Sequence, residues 1–126
     1  MDPPSGVVVL PPVARAPALA REHARRLGSD WSAELMDVVL LVVSEAVTNA
    51  VRYGHGHVEL SILPSSGRIR IEVTDANPAP PRRRESPDGL AERGRGLYLL
   101  DALTTAWGMH PRNGGQGKTI WLDVTT

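Results

Sequence analysis

Residues 38 to 43 are apolar without interruption, and polar side chains then return at a helical spacing. Ser44, Glu45, Thr48, Asn49 and Arg52 follow an i, i+1, i+4, i+5, i+8 pattern, which is one stripe of a helix. The pattern predicts a helix over about 33–53, with N-cap candidates Ser29, Asp30 and Ser32 before it and Gly54-His55-Gly56 after it. A shorter helix is expected from Ala18 to Leu27, with Leu19, His23 and Leu27 on one face and Gly28 as its stop.

Elsewhere the period falls to two. Val58, Leu60 and Ile62 alternate with Glu59 and Ser61, and Ile69, Ile71 and Val73 alternate with Arg68, Arg70, Glu72 and Thr74. Residues 64 to 67 make the turn of this antiparallel hairpin, which has one buried and one wet face. Val7 to Leu10, closed by Pro11 and Pro12, reads as an edge strand. Residues 76 to 93 hold Pro78, Pro80, Pro81 and Pro87 and read as a long loop. A third helix is expected from near Gly96 to about Thr105, then a strand over Trp107 to Pro111, a turn over Asn113 to Gly117, and a last strand carrying Ile120, Leu122 and Val124. Hairpins plus helices that cover one face predict an α+β two-layer sandwich, its mixed, mostly antiparallel sheet covered on one side.

The chain is 126 residues long, enough for a single domain with a modest core. Its formal net charge is zero, which gives no electrostatic ground for binding nucleic acid. No apolar run approaches the ~18 residues of a membrane span, no secretory signal opens the chain, and cysteine is absent, so a cytoplasmic protein is expected. Of the 14 basic residues only Lys118 is a lysine; either chance or a need for a compact ammonium accounts for it.

Glu45 and Asn49 place a carboxylate and a carboxamide one helical turn apart, with Arg52 beyond them. Such a face either is simply solvated or holds a hydrated cation and the phosphates that it carries. Alternation sends Asp75 to the same side as Ile69, Ile71 and Val73, toward the helices. A carboxylate there would suit an exocyclic amine such as that of adenine, or would cap the loop that follows. Gly94 and Gly96 open the third helix, as a close backbone approach to an anion or as a flexible joint. Lys118 faces the helix side, where it meets an anion such as phosphate or snorkels out, and Thr119 faces away. His55 and His57 have no third ligand nearby, and no Ser/His/Asp set has a supporting context.

Taken in order, these segments resemble the GHKL ATP-binding superfamily, above all the small bacterial serine-kinase anti-sigma factors of the partner-switching type. The matching stretches are Ser44 to Val51, Val73 to Asp75, Gly94 to Leu97 and Gly117 to Trp121. The resemblance implies that Asn49 holds Mg²⁺ bridging the phosphates of ATP and that Glu45 accepts the proton of a protein serine. It implies that Asp75 bonds the adenine amino group, that Gly94 and Gly96 wrap the phosphates, and that residues 76 to 93 form a lid. Arg52 lies near enough along the stripe to assist a phosphate. Two departures stand out. The usual Asp-x-Gly-x-Gly pattern reads Asp75-Ala-Asn-Pro-Ala79, which sets Asn77 where adenine should lie, and Lys118 takes the place of a threonine, with Thr119 following it.

The implied function is an ATP- and Mg²⁺-dependent protein-serine kinase. It would bind a sigma factor or similar regulator and phosphorylate a small anti-anti-sigma protein, working as a homodimer. The alternative is a module that sequesters a partner and binds ATP weakly or not at all. A histidine kinase fits poorly, because no dimerisation helix with a phosphoacceptor histidine is present.

Overall fold

A computed structural model describes residues 6–77, 102–112 and 115–126. The elements run β1 (Val7–Leu10), α1 (Ala16–Leu27), α2 (Ala33–Tyr53), β2 (Val58–Ser65), β3 (Arg68–Asp75), β4 (Ala106–Pro111) and β5 (Lys118–Thr125). The strands form one sheet in the order β1-β2-β3-β5-β4, and every pairing is antiparallel, where a mixed sheet was expected. The two helices pack on each other and on one face of the sheet, giving the two-layer α+β sandwich.

Helix α2 starts where its sequence says it should. Ser32 has an extended backbone, and its hydroxyl accepts from the Leu35 N–H at 3.1 Å, satisfying one of the orphan donors of the first turn. Glu34 in the first turn and Arg52 in the last complement the helix dipole. The buried face is Val39, Val42, Val43, Ala46, Val47 and Ala50. It lies on the inward residues of the strands, among them Val58, Leu60, Ile62, Ile69, Ile71, Val73, Ile120, Leu122 and Val124.

Helix α1 begins two residues earlier than the pattern suggested, with Pro17 tolerated in its first turn, where no N–H bond is lost. Its buried residues are Ala16, Ala20, His23 and Ala24, while Leu19 and Leu27 only flank the core. Small side chains let α1 sit close to α2, and Arg21 donates across to the Ser44 hydroxyl at 3.0 Å. The third helix reaches the described residues only at Ala102 and Leu103; by Thr105, whose N–H donates to the Asp123 carbonyl at 2.9 Å, the chain has left helix for β4. No helix among the described residues is long and apolar enough to cross a membrane.

Candidate functional site

The polar stripe of α2 borders the buried face instead of pointing into it. Ser44, Glu45, Thr48 and Asn49 are half-buried and Arg52 is exposed. Helical spacing sets Asn49 next to the buried Val42 and Ala46, with Glu45 and Arg52 one step further toward solvent. Ser44 leaves the set, since it is engaged by Arg21 of α1. Among the described residues, neither the Glu45 carboxylate nor the Asn49 carboxamide is taken up by a hydrogen bond or ion pair.

Five residues past Asn49, about 7.5 Å of helix rise, α2 ends at Gly54 and meets the end of β3. A Cβ on Gly54 would lie 2.8 Å from the Asp75 Cγ and 2.4 Å from the Ala50 carbonyl oxygen, so only glycine lets the strand end come this close. Asp75 is the last residue of β3 and Lys118 the first of β5, and the antiparallel register makes them direct partners. Lys118 Nζ donates to Asp75 Oδ1 at 3.1 Å and Oδ2 at 3.0 Å, and to the Asn77 carbonyl at 3.0 Å. Asp75 is 2% and Lys118 4% exposed.

Asn77 completes the knot. Its backbone N–H donates to Asp75 Oδ1 at 2.8 Å, and its side-chain amide donates to the Tyr53 carbonyl at the end of α2. Ala76 N–H donates to the His55 carbonyl at 3.1 Å. Gly117 has φ of +149°, and a Cβ there would lie 2.2 Å from the Asp75 carbonyl oxygen. Gly54 therefore lets the end of α2 lie against the Asp75 side chain, and Gly117 lets the residue before β5 lie against the Asp75 backbone.

Alternation thus correctly turns Asp75 and Lys118 toward the helices, but the ammonium meets a carboxylate of its own chain where a ligand phosphate was expected. The signal was in the sequence: the end of one strand and the start of its antiparallel neighbour share a rung, once β3 and β5 are known to be adjacent. Thr119 is not brought to this site. It lies on the other face of the sheet, its hydroxyl 2.7 Å from that of Thr74. Gly94, Gly96 and residues 78 to 93 of the expected lid lie outside the described residues.

The residues fit a phosphate-bound Mg²⁺ at one end. No cluster of three or more histidine, cysteine or acidic side chains that could hold a metal exists among the described residues, so a protein-only cage is not offered there. Mg²⁺ commonly takes one or two protein oxygens and completes its shell with water and substrate phosphates, and the half-buried carboxamide of Asn49 suits that arrangement. At the other end, the Asp75 carboxylate expected to meet adenine is 2% exposed and accepts from Lys118 at both oxygens.

The opposite face of the sheet carries a second polar group that the sequence did not reveal. Arg70 donates in a bidentate pair to Asp123 at 2.8 and 2.9 Å and stacks over the Trp121 ring at 4.7 Å. His110 stacks on Trp121 from β4, with ring centroids 6.3 Å apart. The Arg70 hydrogen bonds hold the Asp123 carboxyl below the usual carboxylate range, and the carboxylate in turn raises the guanidinium.

Residues 11–124 match the histidine kinase-like ATPase domain family. An uncharacterized protein of Streptomyces coelicolor is 41% identical over 75 residues, which cover 56% of this chain and 70% of that protein. The histidine kinase domain of a blue-light activated histidine kinase from Erythrobacter litoralis EL346 superposes with a TM-score of 0.51 at 19% identity, over 91% of this chain and 61% of that one. The Acinetobacter baumannii histidine kinase AdeS gives a TM-score of 0.48 at 14% identity, over 94% and 66%. The chain therefore spans less than two thirds of either kinase chain. The likeness to the Erythrobacter litoralis domain is one of fold. With the family match running through both helices and all but the first strand, the chain belongs to the histidine kinase-like ATPase domain family.

Proposed function

We propose that the protein is a nucleotide-dependent protein-serine kinase that also binds a sigma factor or similar regulator, with a small anti-anti-sigma protein as its phosphate acceptor. The observation that carries this reading is the Glu45/Asn49 pair. It sits one turn apart on α2, half-buried, with both polar groups free of other described side chains. In the reaction, the serine Oγ forms a bond to the γ-phosphorus of ATP while the bond from that phosphorus to the ADP oxygen breaks. The serine proton passes to the Glu45 carboxylate. The Asn49 carboxamide oxygen would hold Mg²⁺, which would supply charge neutralisation at the phosphates when bound. Arg52, exposed in the last turn, is placed to screen phosphate charge. Positioning and electrostatics do most of the catalytic work in phosphoryl transfer, so the chain needs few reacting groups of its own.

The test is transfer of labelled phosphate from ATP to a cognate anti-anti-sigma protein. Glu45→Ala is expected to lower the rate by about 10²–10⁴-fold, the usual contribution of a positioned base. Transfer that survives Glu45→Ala unchanged defeats the assigned role.

A second reading, a partner-sequestering module without kinase activity, is favoured by one observation: the Asp75 carboxylate is already neutralised by Lys118. Calorimetry with ATP and Mg²⁺ separates the two, since a module gives no heat and no thermal shift while still binding its regulator.

A further inference from the structure

We infer that the base end of the nucleotide site is closed by the chain's own ammonium, so that a nucleotide is held by its phosphates and is not chosen by its base. The inference rests on the nucleotide-binding reading above and concerns which part of the ligand is recognised.

A free carboxylate at the end of β3 would accept from the exocyclic amine of adenine and would repel a carbonyl set in the same place. Here that selectivity is spent internally. Lys118 Nζ occupies both Asp75 oxygens at 3.1 and 3.0 Å, and the Asn77 N–H takes Oδ1 as well, at 2.8 Å. The remaining reach of the ammonium goes to the Asn77 carbonyl at 3.0 Å. Asp75 is 2% and Lys118 4% exposed, and among the described residues no buried side-chain nitrogen or oxygen lacks a hydrogen-bond partner.

Displacing the ammonium would be unfavourable. The ammonium brings a full positive charge and donates to both carboxylate oxygens, whereas an adenine amine is neutral and would offer hydrogen bonds without that charge. The displaced Lys118 would also remain buried with its charge uncompensated. Gly54 also seats the end of α2 closely against the Asp75 side chain, since a Cβ there would lie 2.8 Å from its Cγ. The opposite end of the site differs: Glu45 and Asn49 are half-buried and Arg52 is exposed, and neither the Glu45 carboxylate nor the Asn49 carboxamide is taken up by another described residue. Lys118 is therefore the specificity-determining residue, and it determines by removing a preference.

The experiment measures binding of ATP, GTP, CTP and inorganic tripolyphosphate to the wild-type chain by calorimetry with Mg²⁺, then repeats it on Lys118→Thr after checking its fold by far-UV circular dichroism. Wild-type dissociation constants are expected within about threefold of one another, and Lys118→Thr, which frees the carboxylate, is expected to favour ATP over GTP by about tenfold or more. A wild-type preference for ATP of about tenfold overturns the inference and leaves the nucleotide reading intact. No binding of any of the four by the wild type removes both. The wild-type comparison decides the matter even where the variant does not fold.

Discussion

Lys118→Met tests the central knot through stability alone, without any ligand. The wild-type pair buries an ammonium that is 4% exposed against a carboxylate that is 2% exposed, with three donor contacts from the one nitrogen. Methionine keeps most of the aliphatic stem and removes the charge. The Asp75 carboxylate is then left buried with the Asn77 N–H as its one remaining described donor. Removing one partner of a buried pair costs about 3–5 kcal/mol, a large share of the roughly 5–15 kcal/mol available to a domain of this size. At a few degrees per kcal/mol the melting temperature should fall by roughly 10–20 °C. The double variant Asp75→Asn/Lys118→Met removes both charges and keeps an oxygen for the Asn77 N–H. It should therefore recover about 2 kcal/mol or more of the loss, a coupling that a double-mutant cycle reads directly. Urea unfolding followed by far-UV circular dichroism, with a shared m-value, gives the four free energies. A single variant within about 1 kcal/mol of wild type, or a double variant whose loss is the sum of the singles, would refute the account of the pair as a buried, mutually dependent unit.

The Asp123–Arg70 pair predicts an acid limit. The folded carboxyl lies below its unfolded value of about 3.9, so its contribution is full above that value and is lost as pH falls through the depressed one; unfolding at fixed urea should steepen below about pH 4, and Asp123→Asn should flatten that limb. Gly117→Ala meets the Asp75 carbonyl at 2.2 Å in a backbone conformation that alanine rarely adopts, so it should lower stability by about 1–3 kcal/mol or more, read as a drop in urea midpoint.

Helix α2 was legible to the residue because its apolar run, its Ser32 cap and its glycine stop all agree. The hairpin and the facing of Asp75 and Lys118 followed from period two alone. What alternation does not carry is the order of strands. Nothing local says that β5 lies beside β3, and without that adjacency Asp75 and Lys118 are two separate polar residues 43 positions apart. For the same reason Arg70 reads as an ordinary wet-face charge, although its partner Asp123 is only 5% exposed. On α1 the expected face of Leu19, His23 and Leu27 does meet the core, but the alanines that bury most completely, Ala16, Ala20 and Ala24, carry no strong periodic signal of their own.

The order β1-β2-β3-β5-β4 has a kinetic consequence. Strand β5 follows both of its neighbours along the chain yet lies between them, and β4 is paired to β5 alone. During synthesis β1, β2 and β3 can assemble as a meander with the helices on their backs, but β4 has nothing to hold until β5 has emerged and slotted in. Assembly of that half of the sheet must then wait for long-range contacts, a slow late step in which the exposed margin of β3 is open to mispairing.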